Sequence, residues 1–214
     1  LRGGLSEQIA KQLERQMGIQ SSDDSRGFNA TVTLPSLKQA ASPTTSSSSI
    51  NANDKNLSAS ERFVRKHQMA AQAAEVATGI PASNILGQAA LESGWGKHEI
   101  KMPDGSSSHN LFGIKAGPGW KGKVAEVTTT EYTNGVAQKV TAKFRAYDSY
   151  AEAFTDHARL LSQSPRYSQT VASADSVKDY AQGLQKAGYA TDPAYANKLT
   201  NVINTTLRLQ RSIT

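Results

Sequence analysis

An α+β architecture, with a mostly helical body and a small antiparallel β-hairpin lobe over a cleft, is predicted by three features of the sequence. Five segments between Ser58 and Gln210 show helical apolar spacing or helix-end signals. Two stretches rich in Val, Thr, Phe and Tyr, at 124–133 and 136–147, flank Asn134-Gly135, the strongest short hairpin signal. The length of 214 residues accommodates one domain and an appendage, since domains run to roughly 100–200 residues.

The appendage comes first. Leu5, Ile9, Leu13 and Met17 recur at four-residue spacing, the narrow stripe of an amphipathic helix that ends near Gly18 and has no partner of its own. From Ser21 the composition shifts, and eight of the twenty-five residues from Ser36 to Ser60 are Ser, interleaved with Thr, Asn and Pro43. That is flexible-linker composition. The expected units are therefore residues 1–20, 21–57 and 58–214.

Within the third unit, Ser58 and Glu61 form an S-x-x-E capping box ahead of Phe63 and Val64, and Gly79 stops the helix they start. Pro81 and Ser83 open a second helix with Ile85, Leu86, Ala89, Ala90 and Leu91 on its apolar side. It ends in ESGWG, which places Glu92 in its last turn. A two-residue turn at Asn134-Gly135 pairs Thr133 with Val136, Tyr132 with Ala137 and Glu131 with Gln138, setting Glu131 a short step from the hairpin tip. Three more helices are expected: Asp148 to about Ser162, about Ala174 to Ala187, and a last one capped by Asp192-Pro193 and running to about Gln210.

Composition excludes several chemistries. There is no cysteine, which removes disulfides, thiolate metal sites and cysteine nucleophiles. No apolar run reaches the roughly 18–20 residues of a membrane span, and the first residues lack the apolar core of a signal peptide. The chain begins at Leu1 rather than Met, so it reads as a fragment and leaves export open. A net charge of +6 and a pI near 9.5 favour a polyanionic partner. The basic residues are scattered, without a one-faced stripe or a nucleic-acid-binding signature, so a solvated basic surface fits at least as well as a nucleic-acid site, and another anionic polymer would serve equally well as partner.

Familiar motifs fail on inspection. Gly117 to Lys123 (GPGWKGK) imitates a phosphate loop, but Val124 stands where Ser or Thr must hold magnesium, and a strand follows where a helix is required. His67, His98, His109 and His157 form no H-E-x-x-H cluster, so no metal and no cofactor are expected and packing or surface roles fit the histidines. No G-x-S-x-G elbow occurs.

Glu92 stands out. The negative end of a helix and the indole of Trp95 both disfavour the ionised carboxylate, so its pKa is expected to rise toward that of a general acid. A surface glutamate before a glycine stop is the plain alternative. Glu131, on the hairpin, offers a second carboxylate across the cleft, the pair with which glycosidases protonate a leaving oxygen and activate water. Its plain alternative is an exposed strand residue beside Lys139.

Five blocks in order carry a resemblance: AALESGWG at 89–96, HNLFGIKA at 109–116, TTEY at 129–132, AKFRAYDSYAEAF at 142–154 and GYATDPAYANKL at 188–199. From about Ser58 to Gln210 the chain resembles the peptidoglycan hydrolase domain of flagellar proteins, a glucosaminidase-type glycoside hydrolase of family seventy-three with a lysozyme-like fold. The resemblance implies Glu92 as general acid, Glu131 as second carboxylate and Tyr189 as a cleft tyrosine that orients substrate or water. It implies further that Asn110, Phe112, Tyr132 and Tyr195 meet substrate, and that Trp95 packs behind Glu92. The substrate implied is the glycan strand of peptidoglycan, cut at the β-1,4 bond after N-acetylglucosamine. Residues 1–20 would be the tail of a rod-binding domain that meets flagellar rod proteins, and the location would be the periplasm.

Substrate makes sense of charge, because Glu61 to Thr214 holds 18 Lys and Arg against 13 Asp and Glu, a net +5 of the +6. Peptidoglycan stems bear carboxylates that such a surface attracts. The 2-acetamido group allows neighbouring-group attack beside direct attack of water. A carboxylate separation of roughly 5–5.5 Å would mark direct retention and roughly 6.5–9.5 Å inversion. Rival readings are a lytic transglycosylase, a muramidase, and a non-catalytic wall-binding scaffold that caps the rod.

Overall fold

The computed structural model describes residues 57–133 and 136–213, with side chains at 129–138 and 213 left out. The stripe from Leu5 to Met17 and nearly all of the Ser-rich stretch lie outside the described residues. The first described helix starts at the capping box: the Ser58 hydroxyl accepts the Glu61 N–H at 3.2 Å while Glu61 Oε2 accepts the Ser58 N–H at 2.6 Å. Helix α1 (Ala59–Thr78) follows and ends at Gly79, whose φ of 78° needs a residue without Cβ and whose N–H donates to Glu75 O at 2.7 Å. Glu75 also caps the next helix, its Oε2 accepting the Ala82 N–H at 3.1 Å, because the N-cap residue Pro81 has no side-chain acceptor.

Helix α2 (Ala82–Ser93) is the central rod, with ten of its twelve residues buried, so it cannot be amphipathic in the ordinary sense. Gly87 lets it approach α6 (Tyr195–Ile213) closely: a Cβ there would collide with the Ile203 side chain and stand 3.1 Å from Ile203 Cα. Around this pair, α1 packs on α3 (Tyr150–Gln163), and α5 (Val177–Lys186) packs on α6. One apolar core runs through them, including Phe63, Ile80, Leu86, Phe154, Leu184 and Leu199.

Strands β1 (Lys123–Thr133) and β2 (Val136–Ala146) form a two-stranded antiparallel sheet in the expected register, with Thr133 opposite Val136 and Glu131 opposite Gln138. The base of the hairpin has its own apolar cluster of Ile100, Ala125, Ala142, Phe144 and Ala146. It is tied to the preceding loop by Arg145 N–H to Ile114 O at 2.8 Å and Ala116 N–H to Lys143 O at 2.9 Å.

The second half corrects the expected count of helices. A 3-10 turn (Pro165–Tyr167) and a short helix α4 (Ser168–Ala172) stand where a loop was expected, giving six α-helices among the described residues. Pro165 presets that turn, and α4 is too short to show periodicity. Three starts also shift. Ser149 caps α3 by accepting the Glu152 N–H at 3.2 Å, and Ser176 caps α5 by accepting the Asp179 N–H at 3.3 Å. Asp192 and Pro193 make a turn in which Asp192 O accepts the Tyr195 N–H at 3.0 Å, so α6 begins two residues after Pro193 and runs on to Ile213. No helix among the described residues is long and apolar enough to cross a membrane.

Candidate active site

Glu92 occupies the last turn of α2 and is 8% exposed. The turn after it is heavily determined. Trp95 N–H donates to Ala90 O at 2.8 Å and His98 N–H to Ser93 O at 2.9 Å, while the Ser93 hydroxyl donates to Ala89 O at 2.6 Å and accepts the Gly96 N–H at 2.9 Å. Gly94, Trp95 and Gly96 are all left-handed, with φ of 59°, 59° and 80°. Two of these positions suit glycine; a tryptophan there is uncommon and is held by its surroundings. Its ring meets Phe63 of α1 edge-on at 5.8 Å and lines a cavity of about 400 Å³ whose walls include neither Glu92 nor Tyr189. Trp95 thus belongs to the back of the turn.

The start of α6 supplies a partner for the carboxylate. Tyr195 is 1% exposed, and its hydroxyl donates to Glu92 Oε1 at 3.5 Å, the long limit of a hydrogen bond. Tyr189 follows Gly188, whose φ of 75° turns the chain, and it is 9% exposed with its ring 5.6 Å from that of Tyr195. Tyr167 and His157 close the group at 6.2 Å and 6.3 Å from Tyr189.

Asn110 and Phe112 form the adjoining wall and are buried. Both amide hydrogens of Asn110 donate to backbone carbonyls, Ile114 O at 2.9 Å and Arg145 O at 2.8 Å, and its Oδ1 accepts the N–H groups of Phe112 and Ile114 at 3.3 and 3.1 Å. All four of its hydrogen-bonding positions are spent on the loop. Asn110 therefore shapes the wall instead of presenting a polar group to solvent. Phe112 stacks flat on His157, ring centres 4.0 Å apart at 7°. Glu131 and Tyr132 are placed on β1 by their backbone pairing with Gln138 and Ala137.

The site also contains residues that the sequence reading passed over. Gln88, one turn before Glu92 and fully buried, accepts on Oε1 from the Tyr180 hydroxyl at 2.6 Å and faces His157 Nε2 at 3.3 Å. The i, i+4 spacing to Glu92 was the available signal for Gln88. Burial drives the His157 pKa down to about 3 and pushes the Tyr180 phenol up, so both groups are neutral at ordinary pH. Among the described residues no group of three or more His, Cys, Asp or Glu is placed to hold a metal.

The chain that carries this site is similar to known proteins. The glucosaminidase family model, described as mannosyl-glycoprotein endo-beta-N-acetylglucosaminidase, matches residues 68–208. Peptidoglycan hydrolase FlgJ of Escherichia coli K12 is 54% identical over 144 residues, 67% of this chain and 46% of that protein. A C-terminally truncated glycoside hydrolase domain of Salmonella typhimurium FlgJ superposes with a TM-score of 0.64 at 49% identity, covering 70% of this chain and 98% of that one. A peptidoglycan hydrolase from Sphingomonas sp. A1 gives 0.61 at 42% identity, over 72% and 95% of the two chains. The chain spans less than half the length of the FlgJ proteins it matches, 46% for the one from Escherichia coli and 36% for that of Pseudomonas aeruginosa. The lysozyme-like α+β fold is the fold of these hydrolase domains, and the chain belongs to the glucosaminidase family of glycoside hydrolases.

Proposed function

We propose that this glycoside hydrolase cleaves peptidoglycan at the β-1,4 bond after N-acetylglucosamine, in the periplasm, and so opens the wall locally for the flagellar rod. One observation carries the reading: Glu92, at the end of the central buried helix, is 8% exposed, contacted by a buried phenol, and lies within the matched family segment. A carboxyl kept from water in this way is suited to deliver a proton.

In the proposed reaction the Glu92 proton passes to the glycosidic oxygen as the bond from C1 to that oxygen breaks, leaving positive charge at C1. Water then attacks C1, either directly or after the acetamido oxygen of the same sugar has closed on C1 to give an oxazolinium ion that the water opens. Glu131 takes the proton of the attacking water or faces the positive charge, with Tyr189 orienting the nucleophile. Tyr195, expected to meet substrate, is assigned instead to holding the Glu92 carboxyl, and Asn110 and Phe112 to holding the wall. Tyr132 stays a candidate substrate contact from the lobe. Residues 1–20 and 21–57 are read as the tail of a rod-binding domain and its linker, which would bring rod proteins to the wall.

Purified peptidoglycan digested with the protein, reduced with borohydride and read by mass spectrometry tests the reading. Reduced N-acetylglucosamine from the wild type is expected. Reduced muramic acid would make the enzyme a muramidase, 1,6-anhydro ends a transglycosylase, and an absence of any product would leave a wall-binding scaffold.

A further inference from the structure

His157 lies on α3, an element with no assigned part in the chemistry, and it is 3% exposed. Its contacts point three ways. Nε2 faces Gln88 Oε1 at 3.3 Å, on the helix that carries Glu92; one ring face stacks on Phe112 at 4.0 Å and 7°; and the ring meets Tyr189 edge-on at 6.3 Å and 82°. Gln88 Oε1 already accepts from the Tyr180 hydroxyl at 2.6 Å. A carbonyl oxygen can only accept, so with Oε1 in this place the contact is a hydrogen bond when the imidazole carries its hydrogen on Nε2. Burial keeps the ring neutral, its pKa being pulled to about 3, so it carries a single N–H.

We infer that His157 is a positioning residue of the cleft, an imidazole pinned to Gln88 through Nε2–H whose face sets the plane of Phe112 and whose edge holds Tyr189 relative to Glu92. The inference rests on the proposed roles of Glu92 and Tyr189. Phenylalanine at 157 would keep the stack and lose the donor, releasing the ring to rotate about χ2. Glutamine would keep a donor and lose the stack. Displacement of a catalytic group by about 1 Å is enough to cost up to about a hundredfold in rate.

The test measures turnover and KM on soluble glycan strands. His157→Phe is expected to lower kcat about tenfold with KM within about twofold, a positional loss within the range just given. Gln88→Met, which removes the acceptor at nearly constant volume, is expected to do the same and serves if His157→Phe does not fold. In a Tyr189→Phe background, His157→Phe should cost less than about twofold, because the group it positions is gone. An unchanged kcat in a destabilised His157→Phe protein would overturn the inference, as would losses that simply multiply with those of Tyr189→Phe. Release of reduced N-acetylglucosamine by the wild type reports separately on the proposed function: its absence would overturn both ideas, whereas its presence with an unchanged kcat in His157→Phe would overturn the positioning role alone.

Discussion

Two glutamates that share one proposed reaction stand on opposite kinds of scaffold. Glu92 sits where α2 ends inside the body, with a left-handed run behind it, Tyr195 against it and ten buried residues on its own helix. Glu131 sits on a two-stranded sheet whose apolar cluster, among the described side chains, lies at the base and has Val127 as its outermost member on β1. Four residues of strand then carry the backbone about 14 Å beyond that cluster, at about 3.4 Å per residue. The body would hold the proposed proton donor in one place, whereas the proposed second carboxylate stands on a two-stranded ribbon that is tied to the preceding loop near its base. The proposed acid, on a buried helix end, and its proposed partner, on a hairpin strand, therefore stand on separate parts of the architecture.

The largest expected effect follows from removing the donor. Glu92→Gln should lower turnover by about 10² to 10⁴, the range of a general acid, while wall pelleting and the thermal midpoint stay near those of the wild type. A variant that retained lysis would break the comparison at its stronger end. Glu131→Gln should cost less, about tenfold, because the substrate acetamido group and Tyr189 can share its task, and it lies below the usual acid–base range for that reason. Equal losses in the two variants would argue against any such sharing.

How much of this was legible in the sequence differs between the two regions for a physical reason. Local rules placed both glutamates: the glycines of ESGWG stop α2 just after Glu92, and Asn134-Gly135 sets the register that pairs Glu131 with Gln138. The contacts that organise the wall are long-range and left no local trace. Gln88 meets Tyr180 across 92 positions and His157 across 69, and a lone histidine on an apolar helix carries no sign of its partner. Asn110 in HNLFGIK was read as a substrate contact, since nothing local shows that Arg145 O and Ile114 O use up its amide. The contact of Tyr195 with Glu92, which lies 103 residues earlier, left no local trace for the same reason.

Glycine substitutions sharpen the contrast between regions. Gly87→Ala drives a methyl group into Ile203 at the crossing of α2 and α6, where neither helix can yield without moving the core. A loss of about 1–3 kcal/mol is expected, read as a lower thermal midpoint, as for other overpacked cores. Gly119→Ala, in the loop leading to the hairpin, meets nothing within 4 Å and has no left-handed φ, so it should be neutral. A tolerant Gly87 would mean that the body is less rigid than the comparison requires.

The smallest effect is a slope. His67 on α1 is buried between Phe63, Tyr150 and Phe154, and burial is the main cause that lowers its pKa from 6.5 to about 4, with Lys66 adding to it and Glu99 opposing. Its folded-state pKa lies below the unfolded one, so the unfolded chain binds the extra proton between those values. Stability is then full above about pH 6.5 and falls as pH drops toward 4. His157 extends the same loss toward pH 3. His67→Leu removes one of these two protons and should flatten the dependence of the thermal midpoint on pH between 6.5 and 4. The hairpin base, whose apolar cluster contains no histidine, should contribute no such slope. Should His67→Leu leave the slope unaltered, the acid sensitivity would rest on His157 or on groups outside the helical body, and His67 would have no part in it.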